Sequence, residues 1–393
     1  MGALCSTARD TAGYLAALQN ARVGIGPICT IPTDRLSSRI AAEIHGFAPT
    51  EHFASRQLAL MDRAAQLAVV AARQAVAQSG LPAATLSSAA VILGAAIGHT
   101  ALDQSYASLY GTAAGRVHPF TVPRTMPNAP ASHVSMEFGT HGPCFAIASA
   151  CASASHAIGQ AALMIRSGLV DVAITGGSDA SLVVGVIKAW ESLRVMSPDA
   201  CRPFSHDRSG LVLGEGAGVL VLESAAHVAA RDGVALAEIA GFGMSADAHD
   251  ITAPDGTGAV MAMRAALRDA GCAADAIDYV NAHGTGTRLN DRMETAAIHT
   301  VFAGHARHLM VSSTKSMIGH CLAAGGALEL IATIGALHGV VPPTAGYTAV
   351  DPECDLDYVP NEARAASVAW AMSNAFAFGG LNAVLVARRW DGA

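Results

Sequence analysis

From Met61 to Gln78 apolar residues recur three and four positions apart, and the run stops at Ser79-Gly80. That period predicts an amphipathic helix closed by a glycine cap. Ala90 to Ile97 is apolar without alternation, which predicts a strand buried on both faces. The same style continues with a helix over Ala152 to Arg166, strands over Val170 to Thr175 and Gly218 to Glu223, and a short helix from His227 to Arg231. Later positions predict helices over Ala259 to Ala270 and Gly326 to His338. Strands are expected over Ile277 to Asn281, Leu309 to Ser312 and Val384 to Arg388. Strands alternating with helices predict an α/β protein with mostly parallel sheets. No long polar linker interrupts the pattern. Pro254-Asp-Gly-Thr-Gly258 is the best turn-rich seam, so two tightly packed halves are expected, 1–250 and 251–393.

Composition supports a large core: of 393 residues 52% are hydrophobic and only 14% charged, the reverse of a disordered chain. A net charge of -7 without a Lys/Arg run excludes nucleic acid as an expected partner. Phe145 to Ile165 lacks Asp, Glu, Lys and Arg, yet Ser149, Ser153, Ser155, His156 and Gln160 interrupt it. A buried helix therefore fits better than the span of about 20 apolar residues a membrane requires. Eight cysteines without a CxxC pair, and no leader-like start, predict free thiols in the cytoplasm.

The chemistry-bearing residues fall in four stretches. Cys151, in Ala148-Ser-Ala-Cys-Ala-Ser-Ala-Ser-His156, is placed at the first turn of a buried helix. Backbone N–H groups and the dipole there favour a thiolate and can hold an oxyanion; a small buried hydrophobe is the alternative. His283 follows a strand in Asn281-Ala-His-Gly-Thr-Gly-Thr287, as a site or a turn with a satisfied histidine. Ser312-Ser-Thr-Lys-Ser-Met-Ile-Gly-His320 adds Lys315 and His320, and Glu329 on the next helix can pair with Lys315. A structural ion pair beside a core histidine reads equally well. Phe376-Ala-Phe-Gly-Gly380 is a turn whose backbone can donate to an oxyanion, or simply a turn. Leu213-Gly-Glu-Gly-Ala-Gly218 precedes a strand, not a helix, and so fails as a dinucleotide loop.

One Cys, two His and one Lys in separate strand-exit loops resemble the elongating β-ketoacyl-acyl-carrier-protein synthases of the thiolase-like superfamily. The resemblance runs from about Gly2 to the C-terminus and includes the Phe-Ala-Phe-Gly-Gly turn. Within the family the chain looks most like the nodulation protein E subgroup, on Gly176-Gly-Ser-Asp-Ala180, Asp247-Ala-His-Asp250, Asn290-Asp-Arg-Met-Glu-Thr295 and Gly319-His-Cys321. It implies a five-layer αβαβα fold of two similar halves and an acyltransferase. Such an enzyme loads an acyl chain onto Cys151 and condenses it with malonyl-carrier protein after loss of carbon dioxide.

By the same resemblance His283 and His320 donate to the developing enolate, Lys315 orients them and Glu329 balances its charge. The N–H groups of Cys151 and Phe378 form an oxyanion hole, and Phe378 gates the cysteine. Thr285 and Thr287 touch the phosphopantetheine arm, with Phe204 and Phe376 as further substrate contacts. Ala101 stands where a bulkier residue often narrows the acyl pocket, which implies room for long or unsaturated chains. No metal or organic cofactor is implied. The implied partners are an acyl-carrier protein and a second subunit, as a homodimer or a heterodimer. Arg56, Arg63 and Arg202 are the candidate basic patch for the carrier. The family opens with a buried Val-Val-Ile-Thr-Gly-like strand that would precede Gly2, so the first sheet is expected to lack it. A thiolase would carry a second catalytic cysteine, and an initiating synthase an Asn where His320 stands. The alternative from another class is a non-catalytic, chain-length-setting partner, which typically lacks the nucleophile.

Overall fold

The computed structural model describes residues 1–111 and 115–391. Ten strands form two five-stranded sheets. The first holds β1 (Gly2–Leu4), β2 (Ala90–Ala95), β3 (Cys144–Ile147), β4 (Val172–Asp179) and β5 (Gly216–Glu223) in the order β3-β2-β4-β5-β1. The second holds β6 (Ala237–Ala246), β7 (Tyr279–Asn281), β8 (Met310–Ser312), β9 (Trp370–Ala377) and β10 (Leu381–Arg389) in the order β8-β7-β9-β10-β6. The two orders match strand for strand, so the halves repeat one plan.

Each sheet is mixed, not mostly parallel. β2 runs parallel to β3 and β4, while β5 runs antiparallel to both β4 and β1. The same pattern recurs around β7, β9, β10 and β6. In the second sheet the cause is visible: Ala377 pairs with Leu381 across a hairpin whose Gly379 and Gly380 both have positive φ, and a tight hairpin makes its strands antiparallel.

Helices α1 (Arg63–Ser79), α2 (Ser153–Arg166), α3 (Gly256–Ala270), α4 (Arg288–Phe302) and α5 (Gly325–Leu337) complete the layers. α1 covers the outer face of the first sheet, and α3 lies on the second sheet with α4 packed beside it. α2 and α5 lie between the sheets and touch strands of both. The result is five layers, αβαβα, with a core on each side of each sheet. Close approach in the middle layer rests on glycine: at Gly94 a Cβ would collide with the Ala154 backbone of α2, and at Gly326 with Ser155.

Three expectations change. The first sheet does have its edge strand, though β1 is only three residues long and pairs with Ala217 to Val219 alone. Its counterpart β6 pairs along the whole of β10. The chain passes from one sheet to the other between Glu223 and Ala237, ahead of the seam read at Pro254. Strands β6 and β9 escape the hydrophobic pattern, because small and polar residues such as Gly241, Gly243, Ser373 and Asn374 sit within them, while the four-residue β3 is hidden at the start of the uncharged stretch from Phe145 that reads as helix. No helix among the described residues is long and apolar enough to cross a membrane. The stretch around Ala157 is instead the mid-layer helix α2.

Candidate active site

After β3 the chain turns sharply through Ser149, Ala150 and Cys151 before α2 begins at Ser153. Ala150 takes φ +49, a left-handed conformation rare outside glycine. The turn aims Cys151 between the sheets toward His320, which follows the short helix Lys315–Ile318. Cys151 Sγ lies 2.9 Å from His320 Nε2. His283 leaves β7, and its ring meets that of His320 edge-on at 5.5 Å. Phe376, near the end of β9, stands 6.1 Å from His283.

Lys315 is buried behind this group. Its ammonium pairs with Glu329 of α5, donates to the His283 carbonyl at 2.5 Å and faces His283 Nδ1 at 3.4 Å. An ammonium has only donors to offer, so His283 Nδ1 accepts and the ring proton sits on Nε2. Burial, followed by the Lys315 charge, holds the His283 and His320 imidazoles well below their ordinary value. Both rings are therefore neutral near pH 7. Burial pushes the Cys151 thiol up to about 12; Lys315 opposes the rise, while Glu329 and Asp179 add to it. The thiolate expected from the helix terminus is thus not the resting form. Cys151 sits in a short turn ahead of the helix, buried at the base of a cavity, and desolvation outweighs the dipole.

A cavity of about 730 Å³ opens onto this group. Cys151, His283, Thr285, Thr287, His320, Phe376 and Phe378 all line it. Thr285 and Thr287 share a 2.9 Å hydrogen bond. The Phe378 ring stacks on Trp190 at 5.5 Å, and the strand leading to it packs on the turn that bears Cys151.

Two of the residues read from the sequence lie elsewhere. Phe204 is not part of the cavity wall: it is fully buried behind the His283 loop, stacked on Tyr358 at 4.1 Å, with its N–H given to Asp291. Ala101 lies in the first turn of the helix His99–Gly111, gives its N–H to Asp62 and does not line this cavity. The reading of a widened acyl pocket from Ala101 therefore gains nothing from it.

The candidate basic patch is also displaced. Arg63 is engaged with Glu215, and Arg202 with Asp199 and Asp207. None of Arg56, Arg63 and Arg202 lines the cavity. Arg194 and Arg288 do, as exposed residues with no carboxylate partner among the described residues.

The supporting residue that sequence reading passed over is Glu294. Its carboxylate accepts the His283 and Gly284 N–H groups at 2.8 Å each and Asn374 at 3.1 Å. Burial pushes it up to about 7. Asp291, one turn earlier on α4, holds Gly286 and Phe204. Two carboxylates three residues apart near the start of a helix share a face, and that spacing was the available signal.

Cys151, His283 and His320 offer ligand atoms within 4.8 Å of one another, a spacing that a soft cation can bridge. The Lys315 ammonium opposes one. It adds positive charge beside the cluster and leaves His283 Nε2 protonated, without a lone pair for a metal.

The comparisons agree with this geometry. The β-ketoacyl synthase N-terminal domain family matches residues 1–227, and the C-terminal domain family matches residues 236–348. Nodulation protein E of Rhizobium sp. (strain N33) is 49% identical over 393 residues, covering 99% of this chain and 98% of the relative. 3-Oxoacyl-[acyl-carrier-protein] synthase 2 of Staphylococcus aureus (strain COL) is 40% identical over 379 residues, covering 94% and 92%. The solved ishigamide ketosynthase/chain length factor superposes with a TM-score of 0.94 at 35% identity, covering 99% of this chain and 97% of that one. With both family models together spanning most of its length, the chain belongs to the β-ketoacyl synthase family, whose members are condensing acyltransferases.

Proposed function

We propose that this protein condenses a Cys151-bound acyl chain with a malonyl unit, both delivered as thioesters on acyl-carrier protein. The observation that carries the reading is the 2.9 Å contact between Cys151 Sγ and His320 Nε2, beside a second imidazole whose proton faces the cavity. In the first half-reaction Cys151 sulfur attacks the acyl carbonyl carbon and its proton passes to His320. The carrier thiolate leaves and takes that proton back. The N–H groups of Cys151 and Phe378 are the proposed oxyanion donors. In the second half the malonyl C–C bond to the carboxylate breaks and carbon dioxide departs. The electron pair becomes an enolate held by His283 Nε2–H and His320. The enolate carbon then attacks the acyl carbonyl, and Cys151 leaves as the thiolate and takes up a proton from water to restore the resting thiol.

His320 is asked to accept a proton in one half and donate a hydrogen bond in the other. Its Nδ1 has no protein partner among the described residues, so neither tautomer is locked. His283 is locked as a donor by Lys315, whose ammonium is paired with Glu329. Every group these steps need is a side chain or backbone N–H of this chain, and the proposed reaction draws on no resident cofactor.

For partners, Arg194 and Arg288 beside exposed Leu193 and Leu289 support docking of an acidic carrier at the cavity mouth. One of the solved neighbours is described as a ketosynthase in complex with its acyl-carrier protein. A second copy is the proposed subunit partner. The edge strand β3 is exposed at Cys144 and Phe145, and Phe120, Val122, Tyr106 and Tyr110 are further exposed apolar side chains of this half. Such an edge is ordinarily covered.

The test is intact-mass analysis after incubation with a ladder of acyl-carrier proteins. Acyl adducts on the wild type and none on Cys151→Ala support the proposal, and the preferred donor reports the chain class. Absence of any adduct on a folded wild type favours the second reading, a chain-length-setting partner, for which one solved neighbour is named.

A further inference from the structure

Ala150 immediately precedes the nucleophile and holds a left-handed backbone at φ +49. For a residue with a Cβ that conformation is strained, so neighbouring contacts must hold it. Three do. The Ser149 N–H donates to Ser153 Oγ at 2.9 Å, and the Ser153 hydroxyl donates to the Ala150 carbonyl at 2.6 Å. The third is His156, one turn into α2. Its Nδ1 lies 2.9 Å from Ser149 Oγ and 3.2 Å from the Ala152 carbonyl. A carbonyl only accepts, so the Nδ1–H tautomer serves both contacts and ties the residues before and after Cys151 together.

The ring itself is braced from the other half of the molecule. Phe242 of β6 meets it edge-on at 6.1 Å. The Phe242 ring lies over Gly159, where a Cβ would overlap it. Burial holds the His156 imidazole below its ordinary value, consistent with a neutral ring. His156 does not line the cavity and touches no proposed substrate atom.

We propose that His156 is a positioning residue that fixes the Ser149–Cys151 turn and so aims Cys151 Sγ at His320 for acylation. This rests on the reaction assigned above. The His156 clamp acts on the sulfur and not on the enolate donors, because His283 and Lys315 are anchored by Glu294 and Glu329 instead. Loss of the clamp therefore separates the two half-reactions.

The experiment compares wild type, His156→Ala, His156→Asn and Ser149→Ala in three assays: acylation of Cys151 by acyl-carrier protein, carbon dioxide release from malonyl-carrier protein, and alkylation of Cys151 by iodoacetamide. Misplacement of a reacting atom by about 1 Å can cost about a hundredfold. His156→Ala is expected to slow acylation by roughly ten- to hundredfold while decarboxylation stays within about twofold. Asn carries its amide nitrogen at the same distance along the side chain as Nδ1, so His156→Asn should recover most of the rate. Wild-type acylation in His156→Ala overturns the proposal. So does a parallel fall in acylation, decarboxylation and melting temperature that Asn does not rescue. If His156→Ala does not fold, Ser149→Ala and His156→Asn carry the same comparison. A wild type that neither acylates nor decarboxylates refutes the assigned reaction instead. The alkylation rates then still decide whether His156 aims the sulfur.

Discussion

Lys315 Nζ stands 3.4 Å from Nδ1 of His283 and donates to the carbonyl of the same residue. One ammonium thereby fixes both the backbone position and the tautomer of a histidine that reaches the cavity with Nε2–H. Its charge is balanced by Glu329 in a pair that is buried on both sides. Removing Lys315 alone leaves Glu329 unpaired. Lys315→Met is expected to lose about 3–5 kcal/mol of stability, measured by chemical denaturation. The double variant Lys315→Met/Glu329→Leu should regain most of that stability without regaining malonyl decarboxylation. Recovery of decarboxylation in the double variant would show that the tautomer argument is wrong.

His283 and His320 should separate by half-reaction. His283→Ala is expected to slow decarboxylation by about 10²–10³ while acyl-Cys151 still forms. His320→Ala should slow both steps, since His320 touches the sulfur. Single-turnover acylation and carbon dioxide release, read side by side, check this.

The thiol of Cys151 is pushed up to about 12 by burial, so its alkylation rate should rise steadily from about pH 6 to about pH 9 without a plateau. A plateau within that interval would mean a resting thiolate. In Lys315→Met the opposing charge is gone, and the rate at any one pH should fall further.

Glu294 contributes a pH dependence of defined sign. Its folded-state value, about 7, lies above the ordinary 4.5. The stabilisation is therefore fully present below about pH 4.5 and is lost as pH rises through about 7, up to roughly 3 kcal/mol. Glu294→Gln should flatten this part of the stability profile. Denaturation midpoints at about pH 5 and about pH 8 test it, and an unchanged pH difference in the variant would refute it.

Gly94 lets β2 approach α2 where the Ala154 backbone passes. Gly94→Ala forces that helix outward and should destabilise by about 1–3 kcal/mol. Because α2 follows the Cys151 turn directly, acylation should fall as well. Thermal melting and the acylation rate measure the two effects.

Much of this protein was legible along the chain. Helical period and glycine caps locate α1, α2 and α3, because those signals are local and Gly80 and Gly271 do take left-handed caps. The loops that bear Cys151, His283, Lys315 and His320 were also readable, since strand exits with glycine and polar residues mark where side chains reach a cleft. Strands β3, β6 and β9 were not. The small and polar residues of β6 and β9 are tolerated only because layers on either side supply the packing, which no local window contains, and β3 is only four residues long at the start of an apolar stretch that runs on into α2.

The sequence by itself determined the α/β alternation, the reactive residue types and their order. Only the tertiary structure decided their protonation and their partners. A helix start by itself argues for a thiolate at Cys151, but enclosure between two sheets removes the water that a thiolate needs. A phenylalanine beside a motif, such as Phe204, looks like a substrate contact until stacking on Tyr358 places it behind the loop. Arg194 and Arg288 line the cavity with no carboxylate partner among the described residues, whereas Arg63 and Arg202 are consumed by carboxylates distant in sequence or across a turn. Burial and pairing are properties of what surrounds a residue in space, and the surroundings come from distant segments, 169 positions apart in the case of Cys151 and His320.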